Sequence, residues 1–130
     1  MIISTAVIVA AGKGRRMGTE ISKQFLPLCG KEILAHTVEK FEKAACIRDI
    51  LVTGGDALQD VRQMAQEYGW KKIISVTEGG KERQDSVFLG LQQVPQDTEI
   101  VLIHDGVRPF VTEEILERSI AAAKETGGCV

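Results

Sequence analysis

The sequence predicts an α/β fold in which mostly parallel strands form a doubly wound sheet. Three observations carry the expectation. Short runs rich in Ile and Val recur along the chain, the stretches between them place apolar residues at helical spacing, and residues that start or stop helices stand at the joints. Right-handed crossovers then make successive strands parallel. The expected strand order is 3-2-1-4, which puts the switch point between the first and fourth strands. Ligands of such sheets bind beyond the carboxyl ends of the strands at that point.

Residues 2–9 show no polar alternation, the pattern of a strand buried on both faces. Leu34, Val38, Phe41 and Ala45 share one helical face, and residues 49–53 read as the next strand. Leu58, Val61, Ala65 and Tyr68 form a second helical stripe, stopped by Gly69, before a third strand at 72–76. Val87, Leu91 and Val94 imply a shorter helix, followed by a fourth buried strand at 99–104. Thr112 is placed to cap a last helix whose first turn holds Glu113 and Glu114, favourable at the positive end of its dipole, and the glycines at 127–128 end it. Cys129 and Val130 resemble the opening of a fifth strand, so the chain reads as one nucleotide-binding domain, residues 1–130, forming the front part of a longer catalytic domain.

With 130 residues the chain has room for one ordinary core. Sixteen basic against eighteen acidic residues leave a net charge of −2, without the broad cationic field of a duplex-binding protein, so nucleic acid is not an expected partner. Cys29, Cys46 and Cys129 are odd in number and widely spaced, as reduced cytoplasmic thiols are. The apolar start is shorter than the roughly 20 residues of a bilayer span, and its basic cluster follows it, so no membrane anchor or signal peptide is expected.

Three loops carry the chemistry. After the first strand comes AAGKGRRMG at residues 10–18, then Lys23 and Gln24. Its GxGxxxG spacing differs from the GxGxxG of dinucleotide sites, no helical stripe starts until after Pro27 and Gly30, and no segment supplies a GxxxxGK[ST] phosphate loop. What remains is a glycine-rich loop whose backbone N–H groups approach an anion closely while Arg15, Arg16 and Lys23 meet the remaining charge, which suits a polyphosphate. Glycines that merely turn the chain among solvated cations are the blander alternative. The second loop, residues 78–86, places the backbone of Gly79 and Gly80 and the Ser86 hydroxyl where a flat polar base or a ribose could be read; taken alone, a capped helix start with a solvated charge cluster is the better explanation. In the third, HDGVRPF at 104–110, Asp105 stands just past a strand, as a Mg²⁺ ligand would if the metal also took phosphate oxygens and water. A turn-forming Asp is its plainer reading, and His104 reads as a packed, hydrogen-bonded strand-end histidine.

Together, AAGKGRRMG with KQF, GGKERQDSV and HDGVRPF resemble the motifs of the 2-C-methyl-D-erythritol 4-phosphate cytidylyltransferase family of the non-mevalonate isoprenoid pathway. The resemblance runs along essentially the whole chain. It implies a Rossmann-like nucleotidyltransferase that uses CTP and Mg²⁺ and forms a homodimer when full length. In its terms Ala10, Ala11, Gly12 and Gly14 line the nucleotide, while Arg16 and Lys23 grip the triphosphate and the reacting phosphorus. Gly80, Lys81 and Ser86 read cytosine, Asp105 binds the metal and Gly106 lies by the ribose. Gly106 and Val107 depart from the commoner HDAARP pattern toward ribitol-5-phosphate cytidylyltransferases, which makes ribitol phosphate the alternative acceptor. Lys81 stands where an acidic residue is common. A nucleotide-binding module without turnover is the alternative from outside the enzyme class.

Overall fold

A computed structural model of the chain describes residues 2–10, 27–28, 31–54, 58–78, 83–106 and 108–128. Strand β1 (Ser4–Ala10) is followed by the short strands β2 (Pro27–Leu28) and β3 (Lys31–Glu32), then helix α1 (Ile33–Lys43) and β4 (Asp49–Gly54). The rest runs α2 (Leu58–Tyr68), β5 (Ile73–Glu78), α3 (Arg83–Leu91), β6 (Ile100–Asp105) and α4 (Glu113–Thr126). The main sheet is parallel in the order β5-β4-β1-β6, the order expected from the sequence. β2 and β3 form a separate antiparallel pair that apolar periodicity did not announce. Among the described residues no helix is long and apolar enough to cross a membrane.

Every residue of β1 is buried. Ala6, Ile8 and Ala10 join Leu34, Ala35, Val38 and Phe41 of α1 and Leu116 and Ile120 of α4 in the core, while Val7 on the opposite face meets α3. Both faces of a central strand are covered, so its side chains need no polar alternation.

Three expectations are corrected. Ala45 does not continue the buried face of α1: the helix ends at Lys43, its C-cap Ala44 turns to extended backbone, and Ala44 is the buried residue while Ala45 lies in an exposed turn. In α3 the stripe Val87, Leu91, Val94 is not the buried face, and Val87 is only partly buried. Leu91 is 41% exposed, Val94 lies beyond the helix, and Ser86 and Gly90 are the buried residues. The reason is close approach: a Cβ on Gly90 would lie 2.6 Å from Thr53 Cγ2 and 2.9 Å from Val7 Cγ1, so only the smallest residues fit beneath this helix. β6 is not buried on both faces either. Leu102 packs toward the core, but Val101 and Ile103 are 37% and 43% exposed, because α3 lies over β5, β4 and β1 and stops short of β6.

The expected helix ends are present. Gly69 follows α2 at φ +71° and Gly127 follows α4 at φ +91°, both left-handed, and the Thr112 side chain accepts from Ile115 N at 3.2 Å. Tyr68 Oη donates to Glu32 at 2.8 Å, tying β3 to α2, and that carboxylate pushes the phenol up to about 12. Cys46 is a free thiol, pushed up by burial and by Glu117 and Glu113.

Surface ion pairs tie the loops at the amino ends of the strands. Arg48 donates to Asp49 at 2.7 Å and to both oxygens of Asp97 at 2.7 and 2.9 Å. Glu99 accepts from Ile3 N at 2.9 Å and Lys124 Nζ at 3.0 Å. The Arg48 hydrogen bonds hold Asp97 below the usual carboxylate range, and the Ile3 N–H followed by Lys124 does the same for Glu99.

Replacing Gly90 by Ala forces its Cβ against two β-branched strand side chains and is expected to cost about 1–3 kcal/mol, more than the ~1 kcal/mol for Gly127→Ala, whose site is open. Urea melts of both variants decide it; equal losses would remove the close-approach argument. Since the folded-state carboxyls of Asp97 and Glu99 are depressed, their contribution is present above the unfolded-state values and lost as pH falls through the folded ones. The thermal midpoint should therefore fall as pH drops below the usual carboxylate range, and the fall should be shallower in Asp97→Asn.

Candidate functional site

The carboxyl ends of β1 and β6 lie side by side, with Val9 opposite Asp105 in the register. The ladder runs one residue further: Gly106 N donates to Val9 O at 2.8 Å. The Gly106 carbonyl accepts from Thr37 Oγ1 of α1 at 2.7 Å, and Thr37 is fully buried. A Cβ on Gly106 would lie 2.9 Å from Leu34 Cδ1, 3.2 Å from Val9 O and 3.5 Å from Ala10 Cβ. Ala10 and Gly106 are thus brought together as expected, with the Ala10 side chain packed into the core and its backbone at the strand end.

Asp105 closes β6, and alternation puts it on the same face as Val101 and Ile103, the face α3 covers elsewhere. Its carboxylate, 30% exposed, accepts from Arg108 Nε at 3.2 Å, and Arg108 N donates to the Asp105 carbonyl at 3.3 Å. His104, on the opposite face, donates from Nε2 to Arg108 O at 2.9 Å and tilts against Phe41 with ring centroids 5.2 Å apart. It is the packed, hydrogen-bonded histidine that the sequence suggested. Ser86 lies fully buried in the first turns of α3, on the Asp105 side of the sheet. The β5 end, where residues 79–82 depart, is separated from β1 by β4, a lateral distance of roughly 10 Å.

Ala11, Gly12, Gly14, Arg16, Lys23, Gly80 and Lys81 lie outside the described residues. Among the described ones, no group of three or more His, Cys, Asp or Glu surrounds a common point. A lone carboxylate at a strand end suits a hard cation that arrives with phosphate oxygens, since Mg²⁺ takes one or two protein carboxylates and fills its octahedron with phosphate and water.

Sequence reading missed the parts that hold this site: the Thr37 hydroxyl, the Leu34 contact and the Arg108 pair. Thr37 left a trace, because a hydroxyl on the otherwise apolar face of Leu34, Val38 and Phe41 needs a buried partner.

An open parallel sheet with a glycine-rich, cationic sequence after its central strand and a carboxylate after the neighbouring strand, across the switch point, defines an α/β protein of nucleotidyltransferase type. Residues 4–130 match the model of the 2-C-methyl-D-erythritol 4-phosphate cytidylyltransferase family, and the chain belongs to that family. It is 47% identical over 129 residues to the cytidylyltransferase of that name from Alkaliphilus oremlandii, covering 98% of this chain and 55% of the relative. The Geotalea uraniireducens protein of that name is 45% identical over 130 residues, covering 97% of this chain and 56% of the relative. The crystal structure of 4-diphosphocytidyl-2C-methyl-D-erythritol synthase from Anaerococcus prevotii superposes with TM-score 0.79 at 29% identity, over 95% of this chain and 52% of that one. The chain therefore spans about half the length of the relatives it matches.

Proposed function

We propose that the intact protein transfers CMP from CTP to 2-C-methyl-D-erythritol 4-phosphate and releases pyrophosphate. The observation that carries this reading is the family match along residues 4–130, with Asp105 standing beside the end of β1. The names of the relatives at 43–47% identity favour methylerythritol phosphate over ribitol phosphate as acceptor. The 130 residues are the nucleotide-binding part. The acceptor site draws on sequence of the kind the relatives carry outside the match. The intact enzyme works as a cytoplasmic homodimer.

The chemistry asks little of a general base. A phosphate monoester oxygen is already anionic at neutral pH, so attack on the α-phosphorus of CTP requires alignment and stabilisation of charge. Ala10, Ala11, Gly12 and Gly14 place backbone N–H groups along the triphosphate, and Arg16 and Lys23 stabilise the five-coordinate phosphorus. Gly80, Lys81 and Ser86 read the cytosine edge, and Gly106 lies by the ribose. A divalent cation, Mg²⁺ in this reading, is held by Asp105 and supplies charge neutralisation to the phosphate oxygens and the leaving pyrophosphate. Arg108, paired with Asp105 in the free protein, gives up that carboxylate readily because an exposed ion pair contributes only about 0–1 kcal/mol.

Arg16→Ala and Lys23→Ala should each lower kcat of the intact enzyme by about 10²–10³ with little change in melting temperature, the usual loss for one preorganised charge. Asp105→Asn should remove most metal-dependent turnover while the fold persists. Near-normal turnover in Lys23→Ala, or unaltered metal dependence in Asp105→Asn, sinks the corresponding role. Competition between CTP and UTP should strongly favour CTP in kcat/KM, since the wrong base edge leaves buried polar groups unpaired. Equal values contradict the base-reading assignment.

A further inference from the structure

We propose that Thr37 is a positioning residue that holds Asp105 in its metal-binding place; the proposal rests on the role given to Asp105 above. Gly106 follows Asp105 directly, and its backbone is clamped from two elements. Its N–H donates to Val9 O of β1 at 2.8 Å, and its carbonyl accepts from Thr37 Oγ1 of α1 at 2.7 Å, across 69 residues of sequence. Thr37 Oγ1 is also 3.3 Å from Ile33 O, a longer and weaker contact, so the Gly106 carbonyl is its principal acceptor. Leu34, one turn earlier on the same helix face, closes the remaining space against Gly106, and Phe41, one turn later, packs on His104. One stripe of α1 therefore supports the residues on both sides of Asp105.

The clamp works because both groups are out of water. With the hydroxyl fully buried and 2.7 Å from the carbonyl, removing it takes away that carbonyl's donor among the described residues, and the peptide after Asp105 turns to find another. The Asp105 carboxylate is only one methylene beyond a backbone that then moves. Arg108 does not replace the clamp, being 73% exposed and reaching Asp105 from within the same turn. Residues that orient a metal ligand without touching the metal commonly change affinity or activity about 10–100-fold when altered.

The test compares Thr37→Val, which keeps the shape and loses the hydroxyl, with Thr37→Ser, which keeps the hydroxyl. In the metal-free, nucleotide-free protein, amide hydrogen exchange is expected to quicken at residues 104–108 in Thr37→Val and to return toward normal in Thr37→Ser. With CTP present, Mn²⁺ binding followed by electron paramagnetic resonance should weaken about 10–100-fold in Thr37→Val. The half-activating Mg²⁺ concentration for transfer should rise in parallel while KM for CTP at saturating metal changes little, and Thr37→Ser should restore both. If folded Thr37→Val shows unchanged exchange at 104–108, or faster exchange with unaltered metal binding, the positioning role is overturned. If Asp105→Asn binds Mn²⁺ as the parent does, it is the metal reading of Asp105 that fails, and the exchange measurement still decides whether Thr37 orders the turn. Should Thr37→Val not fold, failure of Thr37→Ser to match the parent in exchange and metal binding overturns the proposal by itself.

Discussion

The seven residues of β1 are removed from water on both faces, so their backbone groups have nowhere to pair except sideways. β4 and β6 supply those partners in parallel register, and the resulting ladder determines where every other element can sit. Because β4 follows β1 through α1 while β6 is reached only after two further crossovers, the chain departs to opposite sides of β1, and a crevice opens between the ends of β1 and β6. Small side chains at Ala6 and Ala10 bring α1 close to that crevice, and Gly90 does the same for α3 on the other face.

From this arrangement comes a site that is firm beneath and open above. Leu34, Thr37 and Phe41 hold the turn at residues 104–106 from the core side through packing, a buried hydrogen bond and a ring contact. The Asp105 carboxylate lies on the opposite face of the strand from that support, 30% exposed and paired with the exposed Arg108. Strong constraints on the backbone with weaker ones on the side chain suit electrostatic preorganisation, in which a charge is placed beforehand and stays free to exchange its partner.

Element type and order were legible because apolar pattern reports burial directly. The unbroken run of β1, the stripe of α1, the Thr112 cap and the glycines after α2 and α4 each express a local requirement that their own residues meet. The misreadings share a cause. Val87, Leu91 and Val94 are periodic yet are not the buried face, because the spacing between α3 and the strands favours Ser86 and Gly90, and that spacing is a property of two layers together. Val101 and Ile103 look like core residues, but burial of a strand face depends on what lies over it, and α3 ends short of β6. The β2 and β3 pair was invisible because two-residue strands carry no period.

The sequence by itself determined the fold class, the strand order and the family, since hydrophobic period and three ordered loop motifs survive without any knowledge of contacts. It also marked Asp105 and Gly106 as candidate site residues. Only the tertiary structure decided what holds them there. The bond from Thr37 to the Gly106 carbonyl joins residues 69 positions apart, and the Leu34 contact exists only once α1 has docked on the end of β1. Local pattern cannot contain such a contact, because its free energy arises from two buried groups meeting after the chain has already folded around them.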